Sequence, residues 1–175
     1  MKIGIFCSAN NNLDAEFSRL TEEFGHWIGG EGHTIVYGGR NSGLMECIAR
    51  SVKESGGMVV GVVPQVLLRS GRVSDFIDVT IPCDDLSDRK SLMMAHSDVF
   101  IALPGGVGTL DEIFSVVASA SIGYHDKRVI LYNIRNFWQP LAELLEKLQQ
   151  HGVLREGWRE NLVVADSLDE IIRML

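Results

Sequence analysis

The chain has 175 residues, 46% of them hydrophobic, which is enough for one substantial core and too little for two. Its 16 Lys and Arg against 23 Asp and Glu leave a formal net charge of −7, which argues against a broad nucleic-acid face but not against a local anion pocket of Arg and backbone N–H groups. Three widely spaced cysteines (Cys7, Cys47, Cys83) point to reduced thiols in a cytoplasmic protein, the five histidines show no metal-ligand spacing, and no run approaches the roughly 20 apolar residues of a membrane span.

Short apolar runs alternate with longer amphipathic segments, the pattern of an α/β domain with a mostly parallel sheet and helices on both faces. Lys2–Cys7 reads as a first strand, beginning too close to Met1 to leave room for a signal peptide. Helix 14–30, strand 34–37, helix 43–55 and strand 58–63 follow. Gly29-Gly30 and Gly56-Gly57 suit helix C-termini, where a left-handed residue is wanted. The stretch from Pro64 to Pro82 is ambiguous, and Arg69-Ser70-Gly71-Arg72 reads as a loop that could move over a site. Helix 86–96, strand 98–103, helix 109–122, strand 128–132 and helix 138–150 come next. A weaker strand at 162–165 precedes a helix at 168–174, for which Ser167 and Glu170 form a capping-box pattern. Nothing resembles a repeat or a linker, so residues 1–175 are expected to form one nucleotide-binding domain.

Two glycine clusters follow strands. In Leu103-Pro104-Gly105-Gly106-Val107-Gly108-Thr109 a buried strand enters a glycine-rich turn and then a helix, whose first amides and positive dipole end suit phosphate. A tight turn alone would also use glycines. The Walker pattern is absent, and the dinucleotide fingerprint would need glycine at position 111, where Asp111 would oppose a pyrophosphate. The second cluster, Tyr37-Gly38-Gly39-Arg40-Asn41-Ser42-Gly43, lies at the same end of another strand, and ligands collect along that edge in open α/β sheets. Arg40 either adds a cation to the pocket or faces solvent.

Arg89 and Lys90 start the helix that precedes strand 98–103. Helix and strand should run antiparallel, which brings both cations near the turn at 104–109, where an Arg fork matches phosphate geometry. Glu112 lies one turn into the next helix and leans back toward the glycines, whereas Asp111, rotated by about 100°, faces elsewhere. Taken alone, both acids are better explained as stabilisers of the positive end of the helix than as catalysts.

Together Pro104–Thr109 with Glu112, Arg89-Lys90, and Tyr37-Gly38-Gly39 with Gly43-Leu44-Met45 resemble the Lonely Guy phosphoribohydrolases, long labelled possible lysine decarboxylases. The resemblance runs from Ile3 to about Tyr132 and more loosely to the end. It implies a Rossmann-like homodimer that needs no cofactor and no metal, and that cleaves AMP or cytokinin riboside monophosphates to free base and ribose 5-phosphate. It makes Arg89 and Glu112 the catalytic pair. Lys90 and the stretch Gly105, Gly106, Val107, Gly108, Thr109 and Asp111 become nucleotide-binding; the reading of the residues themselves adds Gly39, Arg40 and Gly43 of the second loop as binding candidates. The chain departs from the family pattern at Arg40 and Glu46, where glycines are usual, and at Cys7-Ser8-Ala9-Asn10. It also departs at Ser119 and Ser121, where Trp and Gln are common, and no acidic binding residue can be placed between Val66 and Asp78. These departures bear on base preference.

The alternative reading is a nucleotide-binding module for sensing or carriage, which would not require Glu112. A lysine decarboxylase would need a Schiff-base lysine, a role ill suited to Lys90 beside an arginine. Apolar residues wrap around much of helix 109–122, so one stripe should meet the sheet and another a second subunit. No nucleic acid or membrane is expected as a partner.

Overall fold

The computed structural model describes residues 1–175. Seven strands form a single sheet in the order β4-β3-β2-β1-β5-β6-β7, and every neighbouring pair is parallel. In chain order they are β1 (Lys2–Phe6), β2 (Thr34–Tyr37), β3 (Met58–Pro64), β4 (Val79–Cys83), β5 (Val99–Ala102), β6 (Val129–Tyr132) and β7 (Leu162–Ala165). The helices are α1 (Ala15–Gly30), α2 (Gly43–Glu54), α3 (Gln65–Ser70), α4 (Leu86–His96), α5 (Val107–Ser121), α6 (Gln139–Gln150), α7 (Trp158–Asn161) and α8 (Leu168–Met174).

The central strands are continuous apolar runs because both of their faces are covered. All four residues of β5 and of β6 are buried. On one face Ile3, Ile5, Ile35 and Ile101 pack with Phe24 and Ile28 of α1, Leu44 and Ile48 of α2, and Ile171 of α8. On the other, Phe6, Phe100 and Val129 pack with Met93 of α4, Ile113 and Val116 of α5, and Leu145 of α6. No helix is long and apolar enough to cross a membrane. The three cysteines are buried and unbridged.

The ambiguous stretch holds two elements. β4 is the sheet's edge, pairing Val60 with Val79 and Val63 with Pro82; an edge strand buries little and tolerates a proline, so its sequence lacks a strand's usual signature. The 69–72 segment differs from the expected loop: Arg69 and Ser70 end α3, and Gly71 closes it in the left-handed region. Beyond it, Arg72 accepts a hydrogen bond from the Asn41 amide at 3.3 Å and the Ser74 amide donates to Gly39 at 3.0 Å, which pins the segment to the second glycine cluster. The end of α1 also differs. Gly29 and Gly30 are still helical, and Gly32, at φ 69°, makes the left-handed exit. Gly29 is small for another reason, since a Cβ there would lie 2.5 Å from the Val52 carbonyl oxygen of α2. At the last helix Ser167 accepts from the Glu170 amide, while the Glu170 carboxylate reaches back to the amide of Asp166.

Candidate active site

The strand order reverses between β1 and β5: β1 leads outward to β2, β3 and β4, and β5 leads the other way to β6 and β7. The two following loops therefore diverge and leave a crevice at the carboxyl ends of the strands, where open α/β sheets place ligands. The loop after β1 ties the crevice walls together. Its Ser8 amide donates to Pro104 at 3.1 Å, its Ser8 carbonyl accepts from the Leu44 amide at 2.9 Å, and its Ala9 carbonyl accepts from the Ser42 hydroxyl at 2.8 Å.

Asp85 caps α4 by accepting from the amides of Ser87 and Asp88, both at 2.8 Å, which sets Arg89 in the first turn at the crevice edge. α5 begins at Val107, and its N-cap, Gly106, has no side chain to accept from the first amides, which also lack an intrahelical acceptor. A methyl group added at Gly106 or Gly108 would meet nothing within 4 Å. These elements enclose a cavity of about 250 Å³ lined by Cys7, Ser8, Ala9, Met45, Arg89, Gly106, Gly108, Thr109 and Glu112. A larger groove of about 420 Å³ lies elsewhere, between the outer side of α5 and the segment around Trp158; it is mainly apolar and holds neither Arg89 nor Glu112.

Arg89 and Glu112 form an ion pair across the cavity, with side chains 13% and 5% exposed. Burial pushes the Glu112 carboxyl above the ordinary carboxylate value, and the Arg89 guanidinium opposes that rise. The Cys7 thiol is held well above its usual range by burial and then by the Glu112 charge, so it stays neutral. Outside this pair Lys90 Nζ meets both carboxylate oxygens of Asp111 at 2.8 Å, giving α4 and α5 a second ionic link nearer to solvent.

A family model described as "Possible lysine decarboxylase" matches residues 45–175. A Mycobacterium tuberculosis protein named cytokinin riboside 5′-monophosphate phosphoribohydrolase is 34% identical over 98% of this chain and 91% of its own length. The chain belongs to this family, the Lonely Guy family. An Arabidopsis thaliana relative bearing the same activity name is 30% identical across 99% of this chain and 81% of its own length. Among solved structures, the molybdenum-cofactor carrier protein of Chlamydomonas reinhardtii superposes with a TM-score of 0.72 at 26% identity, covering 99% of this chain and 93% of that one. A molybdenum-cofactor binding protein from Rippkaea orientalis shares the fold at 24% identity and a TM-score of 0.72, over 99% and 93% of the two chains.

Of the residues singled out in this Lonely Guy sequence, Arg89, Glu112, Gly106, Gly108 and Thr109 line one cavity. Val107 stands at the helix start and is 84% exposed. Gly105 lies beneath, where a Cβ would fall 2.1 Å from the Thr109 hydroxyl oxygen. Lys90 and Asp111 are paired with each other outside the cavity. The second cluster is not brought in the same way. The Gly43 amide already donates to Asn11 at 2.9 Å, Gly39 packs on Val63, and Arg40 pairs through its backbone with Val73. Cys7, Ser8, Ala9 and Met45, which the sequence marked within motifs but not as binding residues, join the cavity. The available signal was positional, because the loop after the first strand of such a sheet borders the switch point.

Proposed function

We propose that this chain hydrolyses the N-glycosidic bond of nucleoside 5′-monophosphates, of the AMP or cytokinin riboside monophosphate type, to free base and ribose 5-phosphate. The observation that carries the reading is the meeting of the Arg89–Glu112 pair and the uncapped start of α5 in one cavity. The 5′-phosphate sits beside Gly106 and Gly108, on the first amides of α5 and the Thr109 hydroxyl, where the helix dipole favours an anion. Glu112, one turn along, is then close to the ribose. Cleavage develops positive charge on the sugar, and a buried carboxylate stabilises it and orients the attacking water. The water oxygen joins C1′, the bond to the base nitrogen breaks, and the water proton ends on the base. Arg89 keeps Glu112 anionic despite its burial and fixes its orientation, while Lys90 and Asp111 hold the two helices in register.

The apolar outer side of α5, with Phe114 and Ile122 exposed, is assigned to a second copy of the chain, giving a homodimer. A sedimentation mass of one chain at micromolar concentration would remove that assignment. Buried reduced thiols suit a reducing compartment such as the cytoplasm.

The activity is tested by incubating AMP, other monophosphates and cytokinin riboside monophosphates with the protein and measuring ribose 5-phosphate and free base. Glu112→Gln is expected to lower turnover by about 10²–10⁴-fold while AMP still binds. AMP bound intact, with no base released from any member of the panel, would instead establish a non-hydrolytic carrier or sensor, the kind of role carried in the name of the Chlamydomonas neighbour.

A further inference from the structure

The cavity at the β1–β5 crevice has two unlike walls. One comes from α4, the turn after β5 and α5, and carries Arg89, Glu112, Thr109 and the uncapped helix start. The other comes from the loop after β1 and the first turn of α2, and carries Cys7, Ser8, Ala9 and Met45. The polar groups of this second wall are largely engaged within the protein. The Ser8 amide donates to Pro104, the Ser8 carbonyl accepts from Leu44, and the Ala9 carbonyl accepts from the Ser42 hydroxyl. The Ser8 hydroxyl accepts from the Asn10 amide at 3.1 Å and keeps one proton to donate. A neutral Cys7 thiol is a weak donor, and the Met45 thioether is a weak acceptor whose polarizable surface suits an aromatic ring.

We infer that the base of the substrate lies against Met45, Cys7 and Ala9, and that this wall holds it by ring area while leaving its hydrogen-bonding edge unread. This assignment rests on the cavity being a nucleotide site: with phosphate and ribose on the polar wall, the base is left the apolar one. A pocket of carbon and sulfur separates ligands by size. A site built to bond an amine or carbonyl of its substrate instead rejects an analogue lacking that group by orders of magnitude. The substrate class is therefore set by the ribose 5-phosphate moiety, across bases that differ in their donor and acceptor order. Met45, with the longest side chain on the wall, is the residue that determines how strongly ring area counts.

Dissociation constants are measured by calorimetry in Glu112→Gln, so that no ligand is consumed, with KM values of the wild type as a second reading. AMP, inosine monophosphate and purine riboside 5′-monophosphate carry an amine, a carbonyl and a hydrogen at the same ring position. They should bind within about fivefold of one another. CMP and UMP, whose edges are opposite in donor and acceptor order, should agree equally well, and both should bind more weakly than the purines. Met45→Ala should weaken AMP about tenfold and ribose 5-phosphate less than about twofold, the second ligand showing that the variant is folded. Met45→Leu, of similar volume, should regain most of the AMP affinity. Ser8→Ala should leave the ratio of AMP to inosine monophosphate unchanged. A preference of about a hundredfold or more within either set would overturn the inference. So would a Met45→Ala that spares AMP or weakens ribose 5-phosphate as much, and so would absence of binding throughout. Cleavage of AMP together with such a preference would leave the hydrolase standing and remove the unread edge. Flat ratios with no base released from any nucleotide would do the reverse.

Discussion

In the turn after β5, a methyl group added at Gly106 or Gly108 would enter open space, whereas in the turn after β2 one added at Gly39 would lie 2.4 Å from Val63 Cγ2. One added at Gly43 would lie 2.5 Å from the Asn10 carbonyl oxygen. Both turns follow a buried parallel strand, both lead into a helix, and both read in sequence as cradles for an anion. Only the first leaves its helix start free. At the second, Asn11 takes the Gly43 amide and the Ser8 carbonyl takes the Leu44 amide, so the places an anion would occupy are filled by protein. Glycine makes room in both turns; in the first that room stays open at Gly106 and Gly108, and in the second neighbouring chain fills it.

The sharpest way to break this comparison is a matched pair of alanine substitutions. Gly39→Ala forces a left-handed residue, at φ 76°, to carry a Cβ into Val63, and should lower stability by about 2–4 kcal/mol in urea unfolding. Gly108→Ala should do the reverse: at an open helical position it should raise stability by about 0.5–1 kcal/mol. Its methyl should nevertheless weaken ribose 5-phosphate binding about tenfold by crowding the helix start. Equal stability losses in the two variants, or undiminished ligand affinity in Gly108→Ala, would erase the distinction.

A smaller effect concerns pH. The folded-state pKa of Glu112 is raised by burial, so between the ordinary carboxylate value and the raised one the native state holds a proton that the unfolded chain has released. The destabilisation this causes is absent below that window, grows as pH rises through it and is complete above it. Stability should thus decline across the window in wild type and do so less in Glu112→Gln, as followed by thermal unfolding at a series of pH values. A steeper decline in the glutamine variant would contradict the burial argument. Catalysis should follow the opposite course, with kcat/KM rising as Glu112 ionises.

Much of the site was legible before any coordinates. The antiparallel run of α4 and β5 brings Arg89 to the β5 turn, and the helical rotation between neighbours sends Glu112 inward and Asp111 elsewhere, as expected from local geometry; that Lys90 leaves the turn to pair with Asp111 outside the cavity was not expected. The loop after β1 was harder to see, because Ser8 and Ala9 contribute through backbone bonds that any residue type can make. The edge strand β4 and helix α3 were hidden for a related reason: neither buries enough side chain to impose a period on the sequence.

What the sequence by itself determined was the alternation of elements, the sites of the two glycine turns and the place of Arg89 and Glu112 near helix starts, since these depend on periodicity and on chain direction over a few residues. The tertiary structure alone decided which glycines face a void and which face protein. Such facts depend on atoms that are remote in sequence and close only after folding, and no local pattern encodes the distance between them.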